Sequence, residues 1–145
     1  MTAYYSTGAG GGCQTQLDAL KALANSGHLL IATTAAASAD PDGTIPTGAA
    51  VLADFTFSAT AFGADSVSGT FNTKTVTTTA SFSASTVTAG NTGTAASFYI
   101  TNAAKSVCYA TGSVSTSGAD INFNSVAFSS GANVTLSSFT LTQPQ

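Results

Sequence analysis

His28 is the only histidine in the chain, and imidazole is the one side chain whose charge ordinarily changes near neutral pH. A general base or a metal ligand needs a partner that orients or shares the ring. No carboxylate or second ligand stands near His28 in sequence, so it reads as a structural residue where a helix meets a first strand. Asp40 and Asp42 flank Pro41 ahead of Gly43, and paired carboxylates in a glycine loop are hard-cation ligands. Calcium takes about six to eight oxygens, and the spacing does not continue as an EF-hand does, so Asp-Pro-Asp-Gly reads as turn chemistry. Gly8 to Gly12 is glycine-rich but lacks the Gly-Lys-Ser/Thr of a phosphate loop and follows no strand. Asn133-Val134-Thr135 matches a glycosylation sequon, which reads as chance in a chain without a secretory leader.

Cys13 and Cys108 are the only cysteines, and their separation makes neither a zinc pattern nor a C-x-x-C redox motif. One disulfide between them stays open; two separate buried or half-buried thiols are the commoner arrangement. Tyr4, Tyr5, Tyr99 and Tyr109 could line a sugar-binding surface, but aromatic rings serve more often as core or interface anchors. The expectation is a protein that is not an enzyme, with no catalytic residue, no cofactor and no metal.

Charge narrows the partners. The 145 residues hold three lysines, six aspartates, no arginine and no glutamate, for a net charge of −3. Binding nucleic acid by phosphate neutralisation needs clustered Lys or Arg, and Lys21, Lys74 and Lys105 are scattered, so no nucleic acid is expected. The same poverty argues against a membrane partner held by a basic face. A small-molecule substrate is not expected either. Disorder combines low hydrophobicity with high net charge, and a 43% hydrophobic content with mean hydropathy of +0.28 fits neither condition. The surface must then be mostly Ser, Thr, Asn, Gly and Ala, a composition suited to contact with other protein.

The elements that would carry these residues read as one small domain. Met1 to Gly12 is an extended, glycine-rich arm with neither the basic nor the apolar region of a signal peptide. Cys13 to Asn25 is the one helix, with Leu17, Leu20 and Leu23 plus Cys13 or Ala24 on its apolar stripe, and with Gly27 suited to a left-handed cap. His28 to Thr34 is the first strand. Val51, Ala53, Phe55 and Phe57 alternate with Leu52, Asp54 and Thr56, as do Val76, Thr78, Ala80 and Phe82 within Phe71 to Phe82. Phe98 and Ile100 share a face, as do Val107 and Tyr109, which predicts the two strands of a hairpin. Alternation slips by one residue at Ser125-Val126 and at Ser137-Ser138, which predicts a bulge or bend at both. Seven or eight short strands with frequent turns predict a mainly β fold, an antiparallel sandwich or barrel with one N-terminal helix over 13–145.

The order of segments resembles small structural proteins of tailed-bacteriophage particles. It does so through Thr47-Gly48-Ala49-Ala50-Val51-Leu52-Ala53-Asp54-Phe55, Ala61-Phe62-Gly63-Ala64 and Gly93-Thr94-Ala95-Ala96-Ser97-Phe98. Gly112 through Pro144 continues it, with Gly131, Val134 and Ser138-Phe139-Thr140-Leu141-Thr142 in place. Relatives carry an Arg and an Asp-Gly turn where this chain has Ile100-Thr101-Asn102 and Ala103-Ala104-Lys105, so contacts made by those residues do not transfer. The resemblance implies a virion component made in the host cytoplasm. One form is a capsid decoration or cement protein whose partners are the major capsid protein and copies of itself, for example as a homotrimer. The other is a tail, neck or baseplate component with a host-glycan-binding role. In the first form Tyr4, Tyr5, Gly10, Gly11 and Gly12 of the arm would make the protein contacts.

Overall fold

A computed structural model describes residues 12–33, 49–69 and 75–144. It is mainly β with one helix, α1 (Gly12–Ala24). The strands are β1 (His28–Ala32), β2 (Val51–Phe62), β3 (Ser66–Ser68), β4 (Thr75–Phe82), β5 (Thr86–Thr88), β6 (Gly93–Thr94), β7 (Ser97–Thr101), β8 (Cys108–Ser115), β9 (Ile121–Asn122), β10 (Ala127–Phe128), β11 (Asn133–Thr135) and β12 (Thr140–Pro144). Seven of them, in the order β12-β4-β2-β1-β7-β8-β9, form a curled sheet, a half-barrel, and β3 joins β4 beyond the end of β2. All neighbours are antiparallel except β8 and β9. Two short ladders, β5–β11 and β6–β10, complete the β structure described.

β1 lies at the centre, and its HLLIA sequence is apolar at every position after His28 because both faces are covered. Leu29 and Ile31 enter the main core with Ala53, Phe55, Phe57, Phe98 and Ile100; Leu30 and Ala32 pack with Tyr99 and Cys108 on the other face. Phe55, Phe57, Phe62, Phe82, Phe98 and Phe139 form a continuous chain of ring contacts, with Phe57 and Phe82 stacked at 5.0 Å. Ring pairs of this kind contribute about 0.5–1.5 kcal/mol each beyond the area they bury. A chain with no tryptophan builds its core on this run of phenylalanines.

β2 is the strand that bends the sheet and receives the helix. Its first half pairs with β1 and its second with β4, and between Phe57↔Phe82 and Phe62↔Ala80 the segment Ser58 to Ala61 stands opposite Ser81 alone. Such a bulge leaves ladder groups unpaired. The end of α1 satisfies two of them: Ser26 N–H donates to the Ser58 carbonyl at 3.1 Å, and Ala61 N–H donates to Asn25 Oδ1 at 2.8 Å. From there α1 lies over β2, β4 and β12, with Leu17 buried against Val76 and Leu141 and Ala24 in the main core.

Several expectations need correction. The helix begins at Gly12, which therefore belongs to α1 and not to the arm. The left-handed residue after it is Ser26, at φ 55°; Gly27 is a glycine because Thr101 O lies where a Cβ would go. Leu23 does not share the buried stripe with Leu17 and is 52% exposed. At the start of β2, a register shift beside Ala32 puts Leu52 in the main core and Val51 against the second cluster, so the alternation begins only at Ala53. The bend expected at Ser125-Val126 is present at Val126, between β9 and β10, whereas Ser137-Ser138 is a break between strands, where the chain leaves one ladder for another. Phe71 and the turns Asp40-Pro41-Asp42-Gly43 and Pro46-Thr47-Gly48 lie outside the described residues.

Candidate interaction surfaces

Three places gather side chains that nothing in the core requires. The first is a cluster of charges on one face of the sheet. Antiparallel pairing sets His28 opposite Thr56, so Asp54, two residues earlier on β2, falls diagonally across from the imidazole. Asp54 Oδ1 lies 2.6 Å from His28 Nδ1, and its other oxygen accepts from Lys105 Nζ in the β7–β8 turn. The sequence reading gave His28 no carboxylate partner; the structure gives it one, because pairing of β1 with β2 brings together residues 26 positions apart. A carboxylate on Nδ1 orients a ring, and the nearby hydroxyl, Thr56 Oγ1, lies 3.5 Å from that same nitrogen. The cluster ties β1, β2 and the β7–β8 turn together. Among the described residues no group of three or more His, Cys, Asp or Glu is arranged to hold a metal.

The second place is an apolar groove of about 470 Å³ between α1 and the start of β8, lined by Ala19, Leu20 and Leu23 of the helix with Val107 and Tyr109. Leu23 and Val107, 52% and 40% exposed, are two of the three most exposed large apolar side chains described. Beside the groove, β8 pairs with β7 along its length, but on its other edge only Val114 and Ser115 find a partner, in β9. Among the described residues the edge from Tyr109 to Gly112 is therefore open. Cys108 is buried, with its thiol donating to the Ala110 carbonyl at 3.3 Å. Tyr99 is buried, its hydroxyl accepting from Ser97 Oγ at 3.2 Å, and Tyr109 is half-buried in the groove wall.

The third place is the far end of the half-barrel, where β9 to β12 are joined by loops. Two adjoining depressions there, of about 350 and 240 Å³, share Phe123, Asn124 and Thr135. Near them a cleft of about 330 Å³ separates Thr140 and Thr142 of β12 from Thr111 of β8, with Asp120 on its rim and Phe98 and Phe139 inside. Asp120 accepts from Ser113 N–H at 2.8 Å and from Ser113 Oγ at 2.7 Å, and these bonds hold its carboxyl below the usual carboxylate range.

The helix is held by a separate ion pair. Asp65, just after β2, accepts from Lys21 Nζ at 2.7 Å and from Gln14 Nε2 at 3.2 Å, while Asp18 takes a further bond from Lys21. Burial works against the Lys21 charge and is its largest single influence. The hydrogen bonds to Asp65 and Asp18 together outweigh it and hold the ammonium above the usual lysine range.

Of the expected contact residues, Tyr4, Tyr5, Gly10 and Gly11 lie outside the described residues, and Gly12 opens α1. The α1–β8 groove was missed by sequence reading, although the leucine spacing on α1 held a signal: three leucines exceed what one narrow buried stripe needs. Taken together, fold and surface define a mainly β domain with an open edge on β8, an apolar groove beside it, and no helix long and apolar enough to cross a membrane among the described residues. The chain matches no known family model, no curated protein and no solved structure.

Proposed function

We propose that this protein is a structural component of a bacteriophage particle, and that it decorates the capsid shell by binding the major capsid protein and copies of itself. The observation that carries this reading is the Tyr109–Gly112 edge, open among the described residues, lying beside the Leu20–Leu23–Val107–Tyr109 groove. A partner strand laid on that edge gains main-chain hydrogen bonds, and its side chains reach the groove. Leu23 is 52% exposed, so covering what remains adds about half of the roughly 1.5–3 kcal/mol that full burial of a leucine contributes. Contacts of this kind stabilise only the assembled state, which is what a cement protein does. A chain with nine charged residues in 145 also presents little repulsion to a neighbour of its own kind. The segment order that resembles tailed-phage virion proteins supports the same reading.

The test is the copy number of this chain relative to the major capsid protein in purified particles, by quantitative mass spectrometry. A ratio near one, or a simple fraction such as one third, is the expected result. A few copies per hundred capsid subunits would move the protein to the tail or neck and end the decoration reading.

A further inference from the structure

The double depression at the end of the half-barrel is chemically unlike the α1–β8 groove. No charged side chain lines either half of it. Its lining combines two aromatic rings, Phe123 and Phe128, with the amides of Asn124 and Asn133 and the hydroxyls of Ser129, Thr135 and Ser137. Phe123 is half-buried and held edge-to-face against Phe128 at 5.4 Å and 87°, so its ring is fixed in place. Asn122 at the margin has both ends of its amide engaged with the Ala119 backbone, and Thr135 Oγ1 is paired with Thr86 Oγ1. Asn124 and Asn133 are exposed, and among the described residues their amides make no hydrogen bond. Each offers two donors and one acceptor to whatever enters.

We propose that this groove binds a neutral polysaccharide, with Phe123 against the C–H face of one sugar ring and Asn124 and Asn133 on the hydroxyls of that ring and the next. A polyol supplies adjacent donors and acceptors that match a primary amide, and its ring faces are apolar enough to cover phenylalanine. A purely apolar ligand would strip water from the two amides and return nothing. Nucleic acid or an acidic glycan would find no cation in the lining. The inference is independent of where on a particle the protein sits, because this groove and the α1–β8 groove share no residue.

The experiment is affinity electrophoresis of the full chain through native gels containing dextran, galactomannan or arabinogalactan. Retardation by at least one of the three is expected. Asn124→Ala combined with Asn133→Ala should weaken that retardation at least fivefold, and Phe123→Ala should abolish it. Phe123 also supports Phe128, so circular dichroism accompanies that variant, and the exposed asparagine pair carries the test if it unfolds. Leu23→Ala, in the other groove, should migrate as wild type in every gel. Mobility unchanged by all three polysaccharides, or retardation that survives the double asparagine substitution, overturns the proposal. So does competition for the site by a neutral Ser/Asn-rich peptide but not by free oligosaccharide.

Discussion

Alanine at Gly27 is expected to destabilise this protein more than its single added methyl group suggests. An ideal Cβ at that position would lie 2.1 Å from the Thr101 carbonyl oxygen, 2.9 Å from the Ala24 carbonyl oxygen and 3.2 Å from the Thr101 carbonyl carbon. All three are backbone atoms, so no side-chain rotation relieves the overlap. Either β7 or the end of α1 must retreat by roughly 1 Å, and an added methyl in a tight site costs about 1–3 kcal/mol even where side chains can adjust. Thr101 is fully buried and paired with His28 across β1 and β7, so retreat opens a central ladder of the sheet. The loss of chain freedom in the unfolded state returns about 0.4–1 kcal/mol. The net expectation, with the steric cost near the upper end of its range, is a loss of about 2 kcal/mol, equivalent to about 7 °C in Tm for a domain of this size. Urea unfolding followed by far-ultraviolet circular dichroism measures it. Gly90→Ala is the control, because nothing lies within 4 Å of its added Cβ, and it should be unchanged or more stable by about 0.4–1 kcal/mol. A Gly27→Ala protein within about 0.5 kcal/mol of wild type, well inside the range of ordinary surface substitutions, refutes the close-approach reasoning.

Three further outcomes follow from side chains with defined partners. Thr101 Oγ1 is buried and has no hydrogen-bond partner among the described residues, so Thr101→Val should raise stability by about 1 kcal/mol in the same urea titration; a loss would mean that the hydroxyl is satisfied in solution. Asp65→Ala removes the Gln14 acceptor and one of the two Lys21 acceptors, and should cost about 1–2 kcal/mol while speeding amide exchange in α1 ahead of the sheet. Because the Asp120 carboxyl is held below its usual value of 3.8 by Ser113, its contribution to stability is complete above that value and disappears as pH falls through the lower folded value. Asp120→Asn should therefore flatten the acid limb of a Tm-against-pH curve below about pH 4, and an unchanged limb would count against the Ser113 bonds.

The hairpin of β7 and β8 and the alternation of β4 were legible as sequence because both depend on neighbours a few residues away. Phe98 with Ile100, and Val76 with Thr78, Ala80 and Phe82, face as a period of two requires. The candidate surfaces were far less legible. His28 lacks a partner in sequence and has Asp54 in space, because β1 pairs with β2 across an intervening segment. Gly27 read as a turn glycine, although its constraint comes from Thr101, on a strand far along the chain. Leu23 fell on a helical stripe whose far side turned out to border a groove, since only the placing of α1 on the β2 bulge decides which leucines are covered. Composition and periodicity by themselves determined a mainly β chain with one helix, a phenylalanine core and a nearly uncharged surface, because these follow from residue type and local spacing. The order of strands, the open edge of β8 and both grooves were decided by tertiary structure alone, because each is set by contacts between segments that sequence spacing does not relate.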